Sequence, residues 1–372
     1  MNQPFNNPEN RNPQRQVYYQ PPAVNQPYPP QQAYPQYDPR INEEYRRRLA
    51  MEVYYKNKRR KERSDILVEG LLLGGAILLY LIIETVIVLI MSASKYYPLY
   101  NSSAMFQNCF NIVAVHMSSM FLPFTLFALI MKKRYRVPLI PTKKLGGFKT
   151  FLWVSLGLGT CMGANYVTNA VIELFKMGGY ELSQPEMLDA TNIPTLIAEF
   201  FAVSVVPAIF EEYAMRCCSL GVLRNHGKAF GVIAVSVVFG LIHGNVIQFV
   251  FAFIIGLILG YITVKTDSVI PAMLIHGFNN GLSVLNDVLN NYLDEKVSNY
   301  IISAIVIVWV VLAVGSLIYL IVKKDLLPEK QPKVKEPYAL KLWEKLLCLV
   351  PGFFIPFVIL IAMTSQFVKP IS

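Results

Sequence analysis

The chain has 372 residues, 54% of them hydrophobic and 16% charged, with a mean hydropathy of +0.40. A soluble domain of this length would show more charge around one buried core, so these figures argue against a soluble enzyme and for a membrane protein. The net charge of +10 is clustered beside apolar runs rather than spread on one polar face, which points to the membrane and its cytoplasmic side as the partner and to no nucleic acid.

Residues 1–40 are rich in Pro, Gln, Asn and Tyr without aliphatic periodicity, the composition of a disordered tail. Residues 41–65 read as a basic juxtamembrane helix, with Arg46-Arg47-Arg48 and a positive run from Lys56 to Arg63, expected at the cytoplasmic face near anionic lipid. The first apolar stretch begins near Ile66 and is too long for the core of a cleavable signal peptide. Apolar runs then recur at about 66–91, 109–131, 150–174, 194–220, 229–245, 247–264, 268–289, 300–322 and 346–367.

Runs of this length without period-two alternation are helices, because only helices or closed barrels satisfy the backbone in lipid. The expected fold is an all-α polytopic membrane protein, a bundle of about eight to nine transmembrane helices over residues 66–372. Basic residues follow the even runs: Lys132, Lys133, Arg134 and Arg136 after the second, Arg224 and Lys228 after the fourth, Lys265 after the sixth, Lys323 and Lys324 after the eighth. The opposite loops hold only Lys95, Lys176 and Lys296, which places the N-terminus inside and the C-terminus outside. Gly157-Leu158-Gly159 and Gly256-x-x-x-Gly260 would let helices approach closely. The cysteines Cys109, Cys161, Cys217, Cys218 and Cys348 form no C-x-x-C pair and read as small apolar fillers.

Ionisable groups interrupt the later runs. In the fourth, Glu212 and Arg216 stand four residues apart on one helical face, while Glu211 points roughly 100° away, so Arg216 can neutralise Glu212 and leave Glu211 free to face a cavity. In the fifth, Phe239 and His243 are one turn apart; in the seventh, His276 and Asn280 share a face. Counted from the cytoplasmic ends, Glu211, His243 and His276 fall at about 12–21 Å in a hydrocarbon layer about 30 Å thick, so they could converge. His116 and His226 have no comparable neighbours along the chain.

The ordered set Glu211-Glu212-x-x-x-Arg216, Phe239-x-x-x-His243 and His276-x-x-x-Asn280 resembles the motifs of the CPBP (Abi) family of intramembrane proteases, which includes the type II CAAX prenyl endopeptidases. The resemblance covers about residues 148–290, the expected protease core, and includes Gly256-x-x-x-Gly260-Tyr261 and Lys265-Thr266-Asp267-Ser268. It implies that Glu211 and His243 activate a water, that His276 and Asn280 stabilise the oxyanion, and that Glu212, Arg216 and Phe239 support them. The implied substrate is a membrane-associated or CAAX-like peptide, and the implied location is an integral position in a bacterial plasma membrane. Glu211, His243 and His276 could also supply three zinc ligands, although no His-Glu-x-x-His fixes two of them on one turn. A non-catalytic scaffold or a transporter using the same buried cluster is the competing class.

Overall fold

The computed structural model describes residues 39–132, 141–184, 192–326 and 339–371. Residues 1–38 of the expected tail lie outside them, as do Lys133, Arg134 and Arg136 of the second basic loop. The chain divides into two compact units, residues 1–53 and 54–372. In the first, Arg47 pairs with Glu43 and Arg48 with Glu44, each at 2.6 Å and one helical turn apart. Such exposed pairs contribute only about 0.3–0.5 kcal/mol each, so this segment is held mainly by its own helical propensity.

Among the described residues, six helical stretches are long and apolar enough to cross a membrane. They belong to α1 (Pro39–Ser92), α2 (Ala104–Lys132), α4 (Ile193–His226), α6 (Val246–Thr266), α8 (Glu295–Val322) and α9 (Leu342–Ser365). Between them lie α3 (Gly147–Met177), α5 (Lys228–Leu241) and α7 (Ile270–Tyr292). All nine expected runs are therefore helical, but three fall short of the apolar span criterion. α5 has 14 residues, which is about 21 Å of helix and too short for a hydrocarbon layer of about 30 Å. α3 and α7 are long enough but carry Asn165, Asn169 and Glu173, and His276, Asn279, Asn280 and Asp287. Of these, all but Glu173, an exposed partner of Lys176, line the cavity described below.

Glycines set the closest helix contacts. A Cβ at Gly256 would lie 3.0 Å from Ser236 Cα, and one at Gly260 would lie 3.1 Å from a Val232 methyl, so the Gly256-x-x-x-Gly260 stripe seats α6 on α5. Gly157 meets Ile275 of α7, and Gly159 meets Ala313 of α8. A second stripe, Gly70-x-x-x-Gly74 of α1, meets Gly352 of α9, where a Cβ on Gly74 would collide with the Gly352 carbonyl. Such approach forms many weak van der Waals contacts between helices that gain nothing from hiding apolar surface in lipid.

The basic segment preceding the first apolar run is committed to protein rather than left to lipid alone. Arg59 pairs with Glu344 of α9, Arg63 reaches the same carboxylate at 3.1 Å, and Lys345 pairs with Glu62 at 2.7 Å. His226, at the end of α4, places Nε2 3.0 and 3.1 Å from the two oxygens of the fully buried Glu69. His226, without comparable neighbours along the chain, thus finds its partner 157 residues away in sequence, beyond any local spacing rule.

A short antiparallel pair, β1 (Tyr180–Leu182) and β2 (Val368–Pro370), ties the end of α3 to the C-terminal segment with Tyr180 opposite Pro370 and Leu182 opposite Val368. It is a small departure from the expected all-helical architecture. The glycine contacts yield a first test. Gly352→Val should force α1 and α9 apart and cost about 1–3 kcal/mol, read as a lower melting temperature in detergent, whereas Gly75→Val, where a Cβ meets nothing within 4 Å, should leave it unchanged.

Candidate active site

α4 begins with a reciprocal cap in which Asn192 Oδ1 accepts from the Thr195 N–H at 3.0 Å and Thr195 Oγ1 accepts from the Asn192 N–H at 3.1 Å. Within it, residues 200–205 and 213–219 are wound as π-helix and residues 206–212 as α-helix. Wider turns of this kind are rare and concentrate at functional positions, because they re-aim the side chains that follow. Pro207 contributes to the interruption: it has no N–H to offer the carbonyl of Val203, four residues earlier. Asn280 of α7 donates to that oxygen from Nδ2 at 3.0 Å instead. One turn away, Ser204 Oγ donates to the Gly277 carbonyl at 2.7 Å, and a Cβ on Gly277 would already touch Ala208 at 3.4 Å. α7 is thereby held against α4 beside the two acidic residues.

Glu212 and Arg216 are essentially inaccessible, with side chains 0% and 1% exposed. Arg216 Nε lies 3.0 Å from Glu212 Oε2, an ion-pair contact whose N–H does not line up as a hydrogen bond. The other carboxylate oxygen, Oε1, is 2.9 Å from His276 Nδ1. The Arg216 guanidinium also sits over the ring of Phe239 at 4.6 Å. Phe239 in turn meets both histidines edge-on, with centroid distances of 5.0 Å to His243 and 5.9 Å to His276. Glu212 is therefore shared between a cation and an imidazole, and Phe239 touches three polar members of the cluster.

A cavity of about 940 Å³ opens beside this network. Glu211, Phe239, His243, His276 and Asn280 all line it, so the structure brings together the residues expected to converge and leaves Glu212 and Arg216 behind its wall. Glu211 is 12% exposed, and its Oε2 has no hydrogen-bond partner among the described residues. The imidazole recorded beside that oxygen is His276, whose Nε2 is 3.9 Å away.

His243 does not lie inside the fifth span as expected. α5 ends at Leu241, and His243 stands in a tight reversal completed by Gly244 at φ +68° and by Asn245, which caps α6 by accepting from the Gln248 N–H at 2.8 Å. A glycine tolerates that positive φ where a residue with a Cβ would be strained. His243 Nδ1 is 2.7 Å from the Phe239 carbonyl oxygen. A carbonyl only accepts, so Nδ1 carries the proton and Nε2 is left for other partners. The same logic applies to His276, whose Nδ1 faces a carboxylate.

Sequence reasoning missed part of the lining. Glu84 of α1, His116 of α2, Asn165 and Asn169 of α3, and Asp287 of α7 also face the cavity. Glu84 and His116 were detectable by one signal, an ionisable side chain at membrane depth, which is costly and usually functional. Among the described residues, no three His, Cys, Asp or Glu side chains are gathered closely enough to hold a metal ion. The zinc set Glu211, His243 and His276 does not fit a bound metal in this geometry.

Residues 193–282, about a quarter of the chain, match the family model described as type II CAAX prenyl endopeptidase Rce1-like. This segment is an Rce1-like domain. It runs from the start of α4 into α7 and contains all seven residues singled out above. Comparison with curated proteins and with solved structures gave no match. Six apolar helices and a domain of this family make the chain an integral membrane protein with an intramembrane endopeptidase domain of CAAX type.

The buried network of the Rce1-like domain has a measurable consequence. Arg216→Met should strand the Glu212 carboxylate and destabilise the protein by about 3–5 kcal/mol, whereas the double change Arg216→Met with Glu212→Leu should recover much of that loss. Thermal unfolding of the purified variants in one detergent reads both effects.

Proposed function

We propose that the chain hydrolyses peptide bonds of membrane-associated substrates through a water activated by Glu211 and His243. The observation that carries this reading is the convergence of Glu211, His243, His276 and Asn280, from α4, the α5–α6 reversal and α7, on one cavity in which Glu211 Oε2 has no partner among the described residues. A water held between Glu211 and His243 Nε2 gives its proton to the carboxylate as its oxygen attacks the peptide carbonyl carbon. The carbonyl oxygen becomes an oxyanion, which His276 Nε2–H, in the imidazolium form held between Glu212 and Glu211, stabilises. Glu211 then returns the proton to the departing amine nitrogen as the C–N bond breaks.

Asn280 has a smaller part in this scheme than a pure oxyanion donor would. One of its two amide hydrogens is used on the Val203 carbonyl, so only the second is available to substrate. Glu212 positions His276 through Nδ1 and is itself balanced by Arg216, an arrangement in which a second carboxylate orients an imidazole without reaching the reacting atoms. No step in this scheme is routed through a metal.

Membrane delivery of the substrate is favoured by a second cavity, also about 940 Å³ and almost wholly apolar, between α4, α7 and α8. It shares Met162 and Leu282 with the polar cavity, so a hydrocarbon chain could lie in one while the peptide reaches the other. In this reading α3 and α7 carry polar residues to the cavity, and α1, α2, α4 and α6 complete its wall. The basic residues beside the even runs support a cytoplasmic N-terminus.

Glu211→Gln and His243→Ala should each reduce cleavage of membrane substrates by at least about 100-fold with unchanged melting temperature, measured by mass spectrometry of membranes carrying each variant. Retention of the full biological effect by both variants would instead identify a scaffold. Activity should survive chelation, and inactivation reversed only by zinc would sink the metal-free mechanism.

A further inference from the structure

α2 carries its own π-helical segment, Asn111–Met120, and this segment packs against residues 200–212 of α4, the stretch that ends at Glu211 and Glu212. Aromatic contacts fix the two helices against each other. The ring of Phe121 lies 5.9 Å from that of Phe210 and 5.2 Å from that of Tyr213, and Thr125 Oγ1 is 3.1 Å from the Tyr213 hydroxyl. Phe210 and Tyr213 flank the acidic pair, so α2 is docked on the very residues that hold Glu211 in place. Five residues before Phe121, inside the π-helical segment, stands His116. It lines the polar cavity, close enough for the charges of Glu211 and His276 to bear on it. Among the described residues nothing hydrogen-bonds to its imidazole, whereas His243 Nδ1 serves the Phe239 carbonyl and His276 Nδ1 serves Glu212. A polar ring kept at membrane depth without a protein partner is costly unless a ligand supplies one.

Peptide hydrolysis at this site leaves such a task open. The oxyanion formed on the peptide carbonyl is met by His276 Nε2–H, and Asn280 has one amide hydrogen left after serving the Val203 carbonyl. Each fixed donor aimed at an oxyanion is worth a factor on the order of 100 to 1,000 in rate, so a further one matters. Glu84 and Asp287, which also line the cavity outside residues 193–282, only accept when charged and would repel the oxyanion. An imidazole holds at least one N–H in either protonation state. Resting on the endopeptidase reading, we propose that His116 is a further catalytic residue of this site, donating an N–H to the oxyanion alongside His276. It donates a hydrogen bond only, and its proton stays on the ring while Glu211 carries the proton of the water. Because α2 lies outside residues 193–282, this donor is contributed by the surrounding helices and not by the Rce1-like segment.

The test uses the full-length protein in lipid nanodiscs and an S-farnesylated peptide ending in a CAAX sequence. A second peptide carries a phosphinate, a tetrahedral anion, in place of the amide that mass spectrometry shows to be cut. His116→Ala should lower kcat on the order of 100-fold with KM little changed. It should weaken phosphinate binding by a similar factor, while the affinity for the intact peptide, measured in a Glu211→Gln background, stays the same. His116→Phe, which fills the space without a donor, should behave as His116→Ala does. His116→Gln and His116→Asn, whose amide N–H can stand in for Nε2–H or Nδ1–H, should between them recover part of the loss. Wild-type kcat and phosphinate affinity in the Ala and Phe variants overturn the proposal and leave the endopeptidase reading intact. A rise in KM alone, or losses as large in the Gln and Asn variants as in Phe, overturns it in the same way. Failure of the wild-type protein to cleave the peptide counts against the endopeptidase reading, and the role of His116 falls with it.

Discussion

A guanidinium and a carboxylate withdrawn almost completely from solvent form the constraint around which the rest of this domain is arranged. Each would cost several kcal/mol if buried alone, so Arg216 and Glu212 must be kept together. Their contact is not a complete set of hydrogen bonds. The aromatic face of Phe239 supplies part of the compensation for Arg216, and the Nδ1–H of His276 supplies part for Glu212. Three helices are thus tied to one pair of charges. α4 contributes the pair, α5 the ring and α7 the imidazole, and a shift of any one of them exposes a charge to an environment that cannot solvate it.

Backbone chemistry gives that arrangement its orientation. Pro207 cannot serve the Val203 carbonyl, and the flanking segments of α4 widen into π turns. The unserved oxygen is met by Asn280, and Ser204 reaches across to the Gly277 carbonyl. Positions that break ordinary helical bonding thereby become the docking points for α7. Glu211 and Glu212 follow at the end of the α-helical stretch, one facing the cavity and the other the interior. Adjacent carboxylates thereby have different surroundings, Glu212 beside the Arg216 guanidinium and Glu211 at the cavity wall.

The cavity is larger than the domain that names it. α1, α2 and α3 lie outside residues 193–282, yet they furnish Glu84, His116 and Asn165 to its wall. α1 is in turn anchored by the Gly70-x-x-x-Gly74 contact with α9 and by ion pairs from Arg59, Glu62 and Arg63 to Glu344 and Lys345. The wall of the cavity is accordingly built by helices outside the matched segment as well as within it.

The linear sequence by itself determined that this is a helical membrane protein, that Glu212 and Arg216 share a face while Glu211 does not, and that Gly256-x-x-x-Gly260 is a packing stripe. Each of these follows from a period of 3.6 residues or from the cost of placing polar groups in lipid, and both act within one segment. Tertiary structure decided what such rules cannot reach. It put His243 in a reversal rather than within a span, because a run of apolar residues does not mark where the chain turns back until a glycine at positive φ and a capping Asn are seen together. It joined His226 to Glu69 and brought Glu84 and His116 to the cavity, since the neighbours of a helix are chosen by packing and not by periodicity. It also divided the nine apolar runs into six apolar enough to span and three that are too short or too polar, with those three helping to enclose the site. Glu212 and Arg216 could be paired from spacing alone; His276 became the third member only when α7 folded against α4.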